Sequence, residues 1–263
     1  MGDNILIRTV PSVTVSDYQI GSSFSAADYQ IPTSTAVELP INKGKKFLVR
    51  LNTVDRAQSD LDLASIFADE ASMQLKIAMD TDMLANIYAD ADAANSGTTA
   101  GAISGNLNLG SNAAPVVVDQ DNIIEVIMRM SQVLDEQNVS DEGRWLVLPA
   151  WAIQALKRSD LKDASITGDN ESTLRNGRVG RLDRFTIYRS NLLTETDADT
   201  DYFNVIAGHS AGLAWASQIV EMEELQNPWD FGSLMRGLCV YGYKVIEPKY
   251  IVHARLYSGD STP

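Results

Sequence analysis

The chain opens on short apolar runs separated by polar gaps. They are Ile5-Leu6-Ile7-Arg8-Thr9-Val10, Val13-Thr14-Val15, Ala36-Val37-Glu38-Leu39 and Lys46-Phe47-Leu48-Val49-Arg50-Leu51. β-Branched and aromatic side chains fit a pleated, half-buried surface, so these runs predict strands. Between the second and third, residues 20–35 carry Gly21, Ser22, Ser23, Ser25, Pro32 and Ser34, which turn the chain and bury little. Residues 5–51 therefore predict a long hairpin with a mobile tip.

The period then changes from two to three or four. After Asp55, Leu63, Ile66, Phe67, Ala71, Leu75, Ala78, Leu84 and Tyr88 fall on one helical face. Ser59 or Asp60 is placed to cap the start, and neither Gly nor Pro interrupts before Asn95-Ser96-Gly97. This predicts a helix of about 30 residues, roughly 45 Å long, whose apolar face needs a large surface to cover it. The glycine-rich stretch 97–110 reads as a connector between two structural units.

Beyond the connector, helical and extended patterns alternate. Residues 123–134 predict a helix, Trp145-Leu146-Val147-Leu148 a buried strand, and Pro149 the start of a second helix over 150–157. Residues 159–178 are polar and read as a surface loop. Phe185-Thr186-Ile187-Tyr188 and Phe203-Asn204-Val205-Ile206 predict strands on either side of the acidic loop 195–201. The C-terminal part is strongly β-like, in Leu238-Cys239-Val240-Tyr241, Lys244-Val245-Ile246 and Ile251-Val252-His253-Ala254. Without an internal repeat, this order makes the class α+β.

Charge and composition narrow the function. A formal net charge of -14 repels polyanions and argues against an electrostatic nucleic-acid binder. The single cysteine, Cys239, cannot form an intrachain disulfide and sits in an apolar run as a core thiol would. No apolar run approaches the roughly 20 residues that span a bilayer, and the first residues predict no secretory signal. No membrane contact is expected.

Most motifs fall short of a chemistry. Gly208-His209-Ser210-Ala211-Gly212 matches the spacing of a serine-hydrolase elbow, with Glu221, Glu223, Glu224 or Asp230 as acid and His253 as base. That fold needs several βα units ahead of the elbow, whereas a hairpin and a long helix precede it here, so a small-residue turn is the simpler reading. Asp197, Asp199 and Asp201 imitate a calcium loop, but Tyr202 stands where glycine is needed and Gly208 where a bidentate glutamate is needed. Two histidines and one cysteine make no transition-metal cluster. Gly177-Arg178-Val179-Gly180 and Gly44-Lys45 lack the phosphate-loop pattern. Trp145, Trp151, Trp215 and Trp229 read as core or interface packing. Neither catalysis nor a cofactor or metal is expected.

Several segments, in order, resemble the major capsid proteins of tailed phages, whose fold is shared by encapsulins and the herpesvirus capsid floor. They are Arg8-Thr9-Val10-Pro11 with Val15-Ser16-Asp17-Tyr18, Asp55-Arg56-Ala57-Gln58-Ser59-Asp60, and Gly143-Arg144-Trp145-Leu146-Val147-Leu148-Pro149. Asn176-Gly177-Arg178-Val179-Gly180 ahead of Phe185, and Met235-Arg236-Gly237 ahead of Tyr241-Gly242-Tyr243, complete the set. The resemblance implies an N-terminal segment and E-loop hairpin over 1–51, a peripheral domain with a spine helix over 52–112 and 230–263, and an axial domain over 113–229. It further implies self-assembly as hexamers and pentamers into an icosahedral shell around phage double-stranded DNA, without sequence-specific DNA binding. Scaffolding and portal proteins follow as partners, the virion capsid as location and the bacterial host cytoplasm as the place of assembly.

A long hairpin with few buried residues finds its surface on a neighbouring subunit, which makes Phe24, Tyr29 and Ile31 expected intersubunit contacts. The resemblance departs in two places. Family members carry an N-terminal arm ahead of the hairpin, while here the strand pattern begins almost at Met1, so a monomer or small oligomer impaired in shell closure is expected. Some relatives also cross-link through a lysine at the hairpin tip, and residues 20–35 contain none. The competing readings are an encapsulin-like compartment, which a co-purifying cargo enzyme would reveal, and the serine hydrolase, which fluorophosphonate labelling of Ser210 would reveal.

Overall fold

In the computed structural model, residues 3–8, 13–15, 17, 19–21, 29–31, 34, 36–52, 63–159, 178–196, 202–228 and 230–259 are described. The largest sheet has seven strands. They are β4 (Val116–Val118), β5 (Arg144–Leu148), β6 (Arg178–Leu182), β7 (Phe185–Arg189), β8 (Glu195–Thr196), β9 (Tyr202–His209) and β12 (Ile251–Ser258), with two strands of the separate three-stranded sheet falling between β9 and β12 in sequence. The order is β4-β12-β9-β5-β7-β6, with β8 added alongside β9. β4 with β12 and β5 with β7 run parallel, and the remaining pairs antiparallel.

The middle strands are buried on both faces, so Val205, Ile206, Ala207, Val252 and Ala254 form apolar runs where a half-exposed strand would alternate. Across one such face lies α2 (Ile123–Glu136), named after the earlier helix α1 (Leu63–Leu84). Ile123, Val126, Ile127, Met130, Val133 and Leu134 recur at threes and fours and are all enclosed. α3 (Ala150–Arg158) starts directly after Pro149 and ends on Lys157 and Arg158, cations that suit the negative end of the helix dipole. Both helices agree with the periodicity.

The N-terminal region divides differently from the expected hairpin. β1 (Asp3–Arg8) and β2 (Ala36–Ile41) form a two-stranded ladder from Asp3 opposite Ile41 to Arg8 opposite Ala36. β3 (Lys43–Asn52) leaves that hairpin and joins β10 (Leu213–Gln226) and β11 (Gly232–Val245) in the three-stranded sheet β10-β11-β3. The switch happens at Gly242, where a β-carbon would stand 2.2 Å from the Pro40 carbonyl oxygen. Only glycine lets the end of β2 cross β11 this closely. Leu39 and Leu51 are buried on either side of the switch. Val13-Thr14-Val15 belongs to no ladder. Instead the Gln30 carboxamide accepts from the Thr14 N–H at 2.8 Å and donates to the Thr14 carbonyl at 2.6 Å, copying a strand pair with one side chain.

The spine helix ends earlier than its periodicity predicts. α1 stops at Leu84, and its 22 described residues span about 33 Å at 1.5 Å per residue. Thereafter the chain tightens into two 3₁₀ turns, Ile87–Asp90 and Ala93–Asn95. The pull is tertiary. The buried Asn95 carboxamide donates to the carbonyls of Lys249 and Ile251 and accepts from Gln137, which ties this segment to the start of β12. The expected caps Ser59 and Asp60 lie outside the described residues. The two C-terminal runs expected at 238–241 and 244–246 join in one continuous strand, β11, which ends at Val245.

Candidate assembly surface

The exposed apolar side chains concentrate at the N-terminal end of the chain. Ile5, Leu6, Val13, Val15 and Ile20 lie open, and Tyr29 and Ile31 are each 83% exposed. Of the three expected contact residues, Tyr29 and Ile31 are therefore presented together near the Thr14–Gln30 clamp, and Phe24 lies outside the described residues. A monomer rarely leaves so many large apolar groups in water within one short stretch of chain unless another surface covers them.

Asp82 near the end of α1 anchors the start of β3 and the end of β11. Lys43 Nζ stands 2.7 Å from Asp82 Oδ2 and 2.6 Å from the Tyr243 hydroxyl, and lies 4.2 Å above the Tyr243 ring. The Tyr241 hydroxyl donates to Asp82 Oδ2 at 2.9 Å, and the Tyr243 hydroxyl to the Asp82 carbonyl at 3.0 Å. Burial pushes the Asp82 carboxyl up, but hydrogen bonds from Lys43 and Tyr241, the Lys43 charge and Tyr243 together hold it below its ordinary value. Burial of the Tyr241 phenol, with the same carboxylate beside it, pushes that phenol upward. Trp215 stacks on this pair, 5.3 Å from the Tyr241 ring and 6.1 Å from that of Tyr243.

Asp82→Ala is expected to cost about 1–3 kcal/mol, toward the lower end because Lys43 and Asp82 are partly solvated. Urea denaturation measures the loss. Amide exchange should accelerate in α1 and β3 while α2 stays protected; a uniform acceleration would show that Asp82 is not a local anchor.

A second clamp fixes the connector after the spine helix. The Glu136 carboxylate accepts from the backbone N–H groups of Ile103 (2.8 Å) and Ser104 (3.0 Å). The Ser104 and Ile103 hydrogen bonds overcome burial and hold its carboxyl at about 2.

The elbow-like segment has a different geometry from the one its spacing suggests. Gly208 and His209 end β9, Ser210–Gly212 make one 3₁₀ turn, and β10 follows, so the turn joins strand to strand. Its glycines serve packing, because β-carbons at Gly208 and Gly212 would meet Tyr250 at 2.8 and 2.7 Å. His209 Nδ1 accepts from the Ala211 N–H, and its Nε2 lies 2.7 Å from the Glu142 carbonyl oxygen. His253 Nε2 faces Asn204 Oδ1 at 2.9 Å rather than Ser210. The aspartates 197, 199 and 201 lie outside the described residues, as does Trp229. No His, Cys, Asp and Glu group that could hold a metal occurs among the described residues. None of their helices is long and apolar enough to cross a membrane.

Sequence reading missed β10. Its Glu221, Glu223 and Glu224 hide an extended strand, and only the bulge between Ile219 and Glu221 against β11 brings the two halves into register. Long antiparallel pairing with β11, and not side-chain alternation, is what makes this segment a strand.

A hairpin projecting from a sheet beside a long helix, with a second helix-covered mixed sheet, is the architecture of phage shell subunits. A chain of Mycobacterium phage Che8 superposes with a TM-score of 0.69 at 27% identity, covering 100% of this chain and 86% of that one. The capsid of Ralstonia phage GP4 gives 0.74 at 11% identity, covering 100% and 86%. The capsid structure of cyanophage P-SCSP1u gives 0.70 at 16%, covering 97% and 83%. Comparison with curated protein sequences gives no match. A family model described as phage capsid protein matches residues 38–254, and the chain belongs to that family. It is a structural major capsid protein of phage shells, located in the virion capsid.

Proposed function

We propose that copies of this chain form hexamers and pentamers that build an icosahedral shell around double-stranded DNA. The exposed hairpin, with Phe24, Tyr29 and Ile31 toward its tip, is the contact that covers a neighbouring subunit. The observation that carries this reading is the exposure of Tyr29 and Ile31 beside a clamped loop. Burying one large apolar side chain fully contributes about 1.5–3 kcal/mol, and association costs about 4–15 kcal/mol in lost freedom, so several such groups per contact are needed. Assembly takes place in the bacterial host cytoplasm with scaffolding and portal proteins. The net charge of -14 keeps the packaged DNA ungripped by long-range attraction. Regions 1–51, 52–112 with 230–263, and 113–229 serve as hairpin, peripheral and axial parts. The sheet β10-β11-β3 takes one strand from each, which couples them mechanically.

Sedimentation velocity and electron microscopy over a range of concentration and salt test this. The expected result is mass-action association that stays at small oligomers at low salt and grows toward shell fragments as salt screens like charge. A Tyr29→Ser/Ile31→Ser variant should keep its circular dichroism and melting midpoint yet lose that growth. Identical growth in both proteins would remove the hairpin contact from the reading.

A further inference from the structure

The three-stranded sheet sorts its charges by edge. β3 carries Lys43, Lys45, Lys46 and Arg50 with no acid, and β10 carries Glu221, Glu223 and Glu224 with no cation. These are the two outer strands, and because each is antiparallel to β11 they run parallel to one another. Part of the charge is used within the chain: Lys43 pairs with Asp82, Arg50 with Asp230 at 3.1 Å, and Glu223 with Arg236 of the central strand. Lys46 and Glu221 stand exposed on their opposite edges, and no ion pair involves them among the described residues.

A bare strand edge is a template for pairing with another chain. Here each edge repels its own kind, since β10 against β10 would oppose glutamates and β3 against β3 would oppose lysines. The bulge between Ile219 and Glu221 further interrupts a continuous ladder along β10. Opposite edges are complementary. We propose that copies of this chain meet head to tail, with the basic β3 edge of one subunit against the acidic β10 edge of the next, centred on Lys46 and Glu221. This rests on the shell reading and gives it a direction. A contact between two different patches is heterologous, and it generates a ring when the rotation per copy closes, as a capsomer requires. The bulge makes it a side-chain contact more than a shared ladder.

Charge reversal tests it. Lys46→Glu and Glu221→Lys should each raise the concentration needed for self-association by on the order of tenfold, because each places like charges together. The double variant Lys46→Glu/Glu221→Lys restores opposite charge between copies and should return to within about threefold of the wild type. Sedimentation velocity reads association, and circular dichroism confirms that each variant is folded. Unchanged association in the single variants, or a folded double variant that stays impaired, overturns the edge contact. If the wild type forms only small oligomers at every salt concentration, the shell reading fails while the same four proteins still report on the edge contact. An absence of any wild-type association overturns both.

Discussion

Arg144→Met is expected to lower stability by about 3–5 kcal/mol. Arg144 begins β5 with a side chain that is 0% exposed. Its Nε donates to the Ser140 carbonyl at 2.8 Å and its Nη2 to the Val139 carbonyl at 2.5 Å. Nη1 stands 2.8 Å from Asp135 Oδ1, and Nη2 3.2 Å from Asp141 Oδ1. Methionine fills much of the same volume but leaves the buried Val139 carbonyl without its donor and removes the bond to the part-buried Ser140 carbonyl. The loop between α2 and β5 thereby loses the group it is wrapped around.

For a chain of this size the loss corresponds to a melting midpoint lower by on the order of 10 °C. Arg184 provides the control, since it touches the same two carboxylates at 2.7 and 2.9 Å but is 39% exposed. Arg184→Met should cost no more than about 1 kcal/mol. Equal melting shifts for the two variants would show that the buried hydrogen bond to Val139 is not what distinguishes them.

The second large effect is on acid stability. His253 is 2% exposed on β12, hydrogen-bonded to Asn204 and tilted against Tyr88 at 4.8 Å between ring centres. Burial pushes its imidazole down to about 3, with the Arg255 charge adding to the shift. In the unfolded chain a histidine titrates near 6.5. Between these values the unfolded chain binds a proton that the folded chain refuses, so stability is complete above about pH 6.5 and declines as pH falls toward 3. The full loss is on the order of 5 kcal/mol. Carboxylates join lower down: Asp82 and Glu136, both held below their ordinary values, protect the fold above about pH 4.5 and cease to as pH falls further. Melting midpoints from pH 6.5 to 5 therefore isolate the histidine. His253→Gln should flatten that segment of the curve whatever its absolute stability. A slope equal to that of the wild type would place the proton uptake elsewhere.

Particular elements show how far local chemistry reaches. Periodicity alone determined α2, because six positions spaced by threes and fours have one apolar face and one solution for burying it. Pro149 determined the start of α3, and the unbroken apolar runs of β9 and β12 determined a sheet covered on both sides. These are consequences of hydrogen bonding and burial within about ten consecutive residues. The exposed Tyr29 and Ile31 were legible for the same reason, since a segment with few apolar residues has no core of its own to enter.

Tertiary structure decided the rest. α1 stops at Leu84 although its apolar period continues through Tyr88, because the Asn95 carboxamide must reach the carbonyls of Lys249 and Ile251. β3 reads as the second arm of a hairpin, yet it pairs with β11 because Gly242 allows the end of β2 to cross at Pro40. Glu221, Glu223 and Glu224 look like solvated loop until a partner strand supplies their ladder. The spacing of Gly208, Ser210 and Gly212 looks chemical until Tyr250 packs onto it. In each case the deciding contact joins residues far apart in sequence. Its free energy exceeds the local preference it overrides, and no window of neighbouring residues contains it.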